Sequence, residues 1–247
     1  MIQDPHIYAV IIGSEILDRR RTDKHFDYLS KRLQSKGFKL FASLTLKDDS
    51  ELITQTYKLV ANDPQAMMFS FGGIGSTPDD LTRQLSADVF RDGKLYRHPK
   101  FEQDILDRLG ERAYPHPIKM SDLPKDAELI FNPINNMSGF YLDKRYFFMP
   151  GFPEMAQPMM DHIIDNFLPT APKSHVRSFV AHCGEGRLTE LMMQVPNSIE
   201  LSSLPMMNGG NPMVEFSLSG PDAIELENAF RCFTDFLHEN QITFTRL

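Results

Sequence analysis

Apolar residues fall along the chain in short unbroken runs, with helix-spaced stretches between them. Residues 7–12 form one such run, closed by Gly13, and residues 67–71 form another, closed by Gly72-Gly73. A continuous run of this length suits a central strand covered on both faces. Between the two, Phe26, Leu29 and Leu33 recur at helical spacing, which predicts a helix from near Thr22 to a stop at Gly37. Residues 38–46 read as a second strand. Asp48-Asp49-Ser50 then opens a helix carrying Leu52, Ile53, Leu59 and Val60. This alternation predicts an α/β fold with a doubly wound, mostly parallel sheet. Ligands in such sheets bind beyond the carboxyl ends of the strands.

The pattern loosens over residues 91–125. Phe101, Ile105 and Leu109 mark a helix stopped by Gly110, and residues 114–117 read as a loop. Residues 128–131 and 140–142 look like strands. Asp143-Lys144 turns the chain into a further strand, 146–149. Pro150-Gly151-Phe152-Pro153-Glu154-Met155 ends that strand and starts a helix with Met159, Ile163 and Phe167 on one side. Two prolines among small polar residues at 169–173 mark a domain boundary, so the chain is expected to hold domains 1–170 and 171–247. The second reads as strand 176–181, helix around 188–192, strand 213–218, a helix carrying Phe230, Phe233 and Leu237, and strand 242–245. This is a small α+β domain in a βαβαβ order.

The stretch 67–82 concentrates the chemistry. Gly72, Gly73 and Gly75 let a ligand approach the main chain closely. Thr77 suits an N-cap, Pro78 the first helical position and Asp80 the capping-box position, which predicts a helix from Pro78 onward. Taken alone, the turn reads equally as a structural strand-to-helix connection or as a ligand site. It is neither a Walker loop nor a dinucleotide GxGxxG. Glu15, Asp48 and Asp80 each follow a predicted strand and are expected to converge. A bare phosphate beside Asp79, Asp80 and Glu15 would be repelled, and a divalent cation would reverse the sign. Oxygen-only ligands suit magnesium, manganese or a similar ion. Arg19, Arg20, Arg21 and Lys24 read first as a solvated helix start and second as a phosphate clamp.

Composition narrows the partners. The net charge of −7 argues against nucleic acid. Cys183 and Cys232 lie far apart, which favours reduced thiols. No apolar run is long enough to span a bilayer, and no basic segment precedes the first run, so no membrane partner and a cytoplasmic location are expected.

Several motifs together resemble one family. Gly13-Ser14-Glu15-Ile16-Leu17 resembles the G-x-E-L-L of CinA-like proteins. Residues 72–82 resemble their GG-[LI]-G-P-T-x-DD-x-T, and residues 150–155 their P-G-P-P-x-E-M. Leu46-Lys47-Asp48-Asp49 stands where the family has V-G-D-N. The MoaB/Mog and gephyrin-type molybdopterin-binding domains share the central motif. The resemblance covers residues 5–168 and implies a three-layer α/β/α fold with a ligand site at the glycine turn. It places Asp80 in the active site; with Glu15 and Asp48, singled out by their place after strands, the expected catalytic set is Asp80, Asp48 and Glu15, with Asp80 and Glu15 holding magnesium, manganese or cobalt. The ligand would meet Gly13, Gly72, Gly73, Gly75, Ser76, Thr77, Asp79, Thr82, Lys119, Gly151, Pro153 and Glu154. It also implies a homo-oligomer, dimer or trimer. Implied ligands are a nucleotide such as ADP-ribose, cleaved at its pyrophosphate, or a pterin such as molybdopterin. A non-catalytic pterin or nucleotide binder is the alternative, and a molybdopterin adenylyltransferase a weaker one. The amidase domain of full-length CinA proteins is not expected here. The chain departs from the family pattern at Arg21-Thr22-Asp23, Ser76, residues 132–140 and Phe152, where the ring end of a ligand would lie.

Overall fold

The structure is a computed structural model that describes residues 2–171 and 174–247. The chain divides into two compact units, Met1–Ala171 and Pro172–Leu247. Pro172 and Lys173, within the expected boundary, lie outside the described residues.

The first unit is built on a six-stranded sheet. Its spatial order is Ala42–Leu46, His6–Ile12, Ala66–Phe71, Tyr146–Met149, Gly139–Leu142 and Glu128–Ile130. The first four strands run parallel, and the last two joins are antiparallel. Every side chain of Ala66–Phe71 is buried, as its unbroken apolar run requires. Alternation sorts the two faces. Ile7, Ala9, Ile11, Met67, Phe69 and Phe71 pack in one buried cluster with residues of helices His25–Ser35 and Pro153–Phe167. Tyr8, Val10, Ile12 and Met68 pack in the other with residues of helices Ser50–Ala61 and Pro99–Leu109. The result is the expected three-layer arrangement.

Local chemistry moved several boundaries. The first long helix begins at His25 rather than near Thr22. The Asp23 carboxylate accepts from the amides of His25 and Phe26, both at 3.0 Å, and so captures the N–H groups that open the helix. His25, Leu29 and Leu33 form its buried stripe, while Phe26 is 47% exposed. The second strand is confined to Ala42–Leu46, with Phe38 buried ahead of it as a core residue. Leu52 and Leu59 lie on the outer face of Ser50–Ala61, whose inner face carries Ile53, Thr56, Tyr57 and Val60. Asp49 caps that helix, accepting from Leu52 N at 2.9 Å. The loosely patterned segment 91–125 holds a two-stranded sheet, Leu95–Arg97 against Asp122–Pro124, and a 3₁₀ helix, Pro117–Ser121.

The second unit is a four-stranded antiparallel sheet in the order Glu200–Asn208, Asn211–Gly220, His175–Ala181 and Phe244–Arg246. Helix Ala223–Glu239 buries Leu226, Phe230, Phe233 and Leu237 against it. Strand Glu200–Asn208 was not expected from the periodicity, and it changes the order from βαβαβ to one with a hairpin. Its signal is Asn208-Gly209-Gly210-Asn211, where both glycines have positive φ. Cys183 and Cys232 are both free thiols. No helix among the described residues is long and apolar enough to cross a membrane.

Phe147 is fully buried, with ring centroids 5.5 Å from Phe69, 5.8 Å from Tyr141 and 5.3 Å from Phe167. Phe147→Ala is expected to cost about 3–5 kcal/mol in urea unfolding. A loss below about 1 kcal/mol would show that this layer is not close-packed.

Candidate ligand site at the glycine turn

The parallel strands end together, and the glycine turn follows from how closely they do so. Gly72 has φ +98°, and a Cβ there would fall against the carbonyl oxygen of Ile12. Gly73 has φ +67°, and a Cβ there would lie 2.5 Å from the Thr82 hydroxyl. The Thr82 hydroxyl donates to Gly72 O at 2.9 Å, and the Thr82 amide donates to Gly73 O at 2.9 Å. Thr82 itself is fully buried, so it shapes the turn from beneath. Tyr57 lies next to it, its hydroxyl 3.0 Å from that of Ser70. Burial pushes the Tyr57 phenol up to about 12 against the opposing pull of hydrogen bonds with Ser70 and Thr82.

The helix expected from Pro78 begins only at Thr82. Residues 77–80 instead close a separate turn, with Asp80 N donating to Thr77 O at 3.1 Å. Asp80 Oδ2 accepts from Thr77 N at 2.8 Å and from the Thr77 hydroxyl at 2.6 Å. The capping-box contact therefore forms, but it closes a turn rather than a helix. Within residues 73–76 the amide N–H groups have no protein acceptor among the described residues. They follow directly on the end of strand Ala66–Phe71.

Two hollows flank this turn. One, of about 470 Å³, is lined by Gly73, Gly75, Ser76, Thr77, Asp80 and Gly151 on the polar side. Phe101, Met120, Met137, Phe152 and Met155 form its apolar side. The other, of about 560 Å³, is lined by Ser14, Glu15, Arg20, Arg21, Asp48 and Asp79. The Arg21 guanidinium lies 5.5 Å from the centroid of the Phe152 ring, so the charged hollow and the apolar one meet at this contact.

The charged hollow is ordered by local bonds. Asp48 Oδ2 accepts from both the amide and the hydroxyl of Ser14, each at 2.8 Å. The Glu15 carbonyl accepts from the amides of Arg20 and Arg21 at 2.9 and 3.0 Å, which folds both arginines back beside Glu15. A hydrogen bond from Thr77, aided by its own amide, holds the exposed Asp79 carboxyl below the ordinary carboxylate value. Among the described residues no three His, Cys, Asp or Glu side chains group as a metal site. Magnesium-type ions are often held by one or two carboxylates together with waters and substrate phosphates. The oxygen-only carboxylates here, accompanied by two guanidiniums, fit an ion that arrives with a phosphorylated ligand.

The residues singled out from sequence divide by position. Glu15, Asp48 and Asp79 line the charged hollow, and Gly73, Gly75, Ser76, Thr77, Asp80 and Gly151 line the apolar one. Asp80 and Glu15, the expected metal pair, therefore border different hollows. Gly13, Gly72 and Thr82 are buried beneath them. Pro153 and Glu154 open helix Pro153–Phe167 and line neither. The Lys119 side chain is exposed and lines neither, while its carbonyl accepts from Arg83. Sequence reasoning missed Arg83 and Phe101 and read Met155 as core filler, whereas Met137 falls in the stretch 132–140 and Met120 beside Lys119, both expected near the ring end of a ligand. Phe101 carried a signal as part of a helical stripe, but nothing in a methionine's neighbours says whether it fills a core or lines a hollow.

Residues 8–170 match the family described as a probable molybdopterin binding domain. The chain belongs to this family. A CinA-like protein of Geotalea uraniireducens is 30% identical over 171 residues, covering 66% of this chain and 40% of its own. A CinA-like protein of Flavobacterium psychrophilum is 27% identical over 239 residues, covering 89% of this chain and 55% of its own. This chain thus spans about half the length of these curated relatives. A protein of Archaeoglobus fulgidus is 23% identical over 235 residues, 94% of this chain and 98% of its own. Among solved structures, the protein CinA of unknown function from Thermoplasma acidophilum superposes with a TM-score of 0.59 at 21% identity. That match covers 66% of this chain and 99% of the other, and it shows the shared fold.

At the rim of this molybdopterin-binding-family domain, burial pushes the Asp23 carboxyl up. Hydrogen bonds from the His25 ring and from the His25 and Phe26 amides outweigh it and hold the carboxyl below its ordinary value. A depressed carboxyl contributes stability that is complete above the unfolded-state value and drains as pH falls through the folded-state one. Wild type should therefore lose more stability than Asp23→Asn between about pH 6 and pH 3 in urea unfolding. Equal losses would remove Asp23 from the acid limb. Thr82→Val deletes the bond to Gly72 O and leaves a buried carbonyl unpaired. It should cost about 1–3 kcal/mol in the same measurement.

Proposed function

We propose that this CinA-like domain binds a phosphorylated ligand with a flat ring system at the glycine turn and hydrolyses a nucleotide pyrophosphate such as that of ADP-ribose. The observation that carries the reading is the meeting of a charged hollow and an apolar one at the Arg21–Phe152 contact. A ligand that is ionic at one end and aromatic at the other matches that division. The ring packs among Phe101, Phe152 and the three methionines, whose sulfurs suit aromatic partners. Arg20 and Arg21 hold phosphate oxygens. Glu15 and Asp48, which line the charged hollow together, are the carboxylates that would hold a divalent ion arriving with the ligand, and that ion would supply a more acidic water and a polarised phosphoryl oxygen; Asp80 borders the other hollow and would act through the turn it orders.

A second reading, a pterin or nucleotide binder without turnover, is favoured by one observation. Arg20 and Arg21 already bring positive charge to Glu15, Asp48 and Asp79. They offset two of the three carboxylates, which lessens the need for an ion in holding phosphate.

AMP release from ADP-ribose, with magnesium, manganese or cobalt in parallel, separates the two. Asp80 also orders residues 77–80, so Asp80→Asn, which keeps an acceptor oxygen, is a better variant than Asp80→Ala. Hydrolysis predicts metal-dependent release that falls by about ten-fold or more in Asp80→Asn and in Glu15→Gln. Binding of ADP-ribose or a pterin with no AMP under any metal would establish the second reading.

A further inference from the structure

Arg83 is a charged residue in a place where charge is costly. It is 8% exposed and sits in the first turn of helix Thr82–Phe90. Burial pulls its guanidinium below the ordinary value, opposed by the charges of Asp80 and Asp122. Its partners are main-chain carbonyls. Nη2 donates to Gly75 O at 2.7 Å, and Nη1 donates to Lys119 O and, at 3.2 Å, to Asp122 O. Nε is buried and has no partner among the described residues.

These carbonyls belong to two segments that are far apart in sequence and that each contribute lining to the apolar hollow. Gly75 and Asp80 come from the glycine turn, and Met120 comes from the 3₁₀ helix Pro117–Ser121. In the glycine turn Ile74 packs against the core but its neighbours are glycines and small polar residues, and Pro117–Ser121 is a short 3₁₀ piece, which is weak in isolation. We propose that Arg83 is the positioning residue that sets the width of the apolar hollow, by gripping the glycine turn with one arm of its guanidinium and the 119–122 backbone with the other. The proposal rests on the ligand reading for its consequence, since ring binding would depend on that width. The charged hollow takes only Asp79 from the gripped segments, its other lining residues coming from 14–21 and Asp48. Lysine cannot substitute, because a single ammonium offers no rigid fork to span both segments.

The test uses the full chain and Arg83→Lys, with Arg83→Gln as a second variant that keeps a donor for one segment only. Arg91→Lys is the control, because Arg91 grips Lys125 O and Asp143 away from the hollow. Amide hydrogen exchange is read on residues 73–80, 117–122 and 66–71. Calorimetric titration uses two probes, adenosine for the apolar hollow and inorganic pyrophosphate for the charged one. The expected result is faster exchange in 73–80 and 117–122 together, with 66–71 unchanged. Adenosine should weaken by about ten-fold or more while pyrophosphate stays within about two-fold. Faster exchange in one segment alone, or throughout the unit, overturns the clamp, as does equal weakening of the two probes. If wild type binds neither probe, the ligand reading fails, and the exchange pattern still decides the clamp.

Discussion

The carbonyl of Ile12 and the backbone of Gly72 lie so close that no side chain fits at position 72. Much of the first unit follows from that approach. The two strands it joins are the buried centre of the sheet, paired in parallel through Ile11 and Phe71. Gly72 N also donates to Met149 O, which ties in the next parallel strand. Three strand ends therefore meet at one point, where the chain has no room to continue the sheet. Everything beyond it must rise above the strand ends, and this is where the turn, Ser14-Glu15, Asp48 and Gly151 are found. The placement is the general one for parallel α/β sheets, and here it has a single steric cause.

Charge at this end is arranged before any ligand arrives. Asp48 is held by Ser14, Asp80 by Thr77, and Asp23 by His25 and Phe26. For Asp48 and Asp80 both bonds fall on Oδ2, so each side chain is oriented by one oxygen while Oδ1 is left for other partners. Orientation of this kind removes reorganisation from the binding step. The arginines are placed by main-chain bonds to Glu15 O and by the Phe152 face, so the two signs of charge share one hollow. The apolar hollow combines methionines and phenylalanines with Ser76, Thr77, Asp80, Asn135 and Ser138, which suits a flat ring with polar edges.

The second unit obeys different rules. Its sheet is antiparallel, and its longest strands, Glu200–Asn208 and Asn211–Gly220, are joined by a glycine hairpin. Strand Glu200–Asn208 alternates weakly and is mostly exposed, so it has little apolar period for sequence reading to detect. The hairpin was legible only through its turn residues. In the first unit the reverse held, because doubly buried strands print as unbroken apolar runs.

What the sequence by itself determined is the set of elements whose physical cause is local. Strands 6–12 and 66–71, the helices capped by Asp49 and stopped by Gly37 and Gly110, and the glycine turn all follow from runs, caps and backbone freedom. The motifs also carried the family, whose model matches residues 8–170. Tertiary structure alone decided which carboxylates share a hollow, since Glu15 joins Asp48 and Asp79 while Asp80 faces the apolar side. It decided that Phe26 turns outward and His25 inward, because Asp23 captured the first amides of that helix. It also decided the place of Arg83. Leu81, Leu85 and Val89 recur at helical spacing and position 83 lies off that stripe, while its carbonyl partners at 75, 119 and 122 are brought together only by the fold. Contacts of this range leave no period in the chain, because they depend on where separate segments meet and not on what each one prefers.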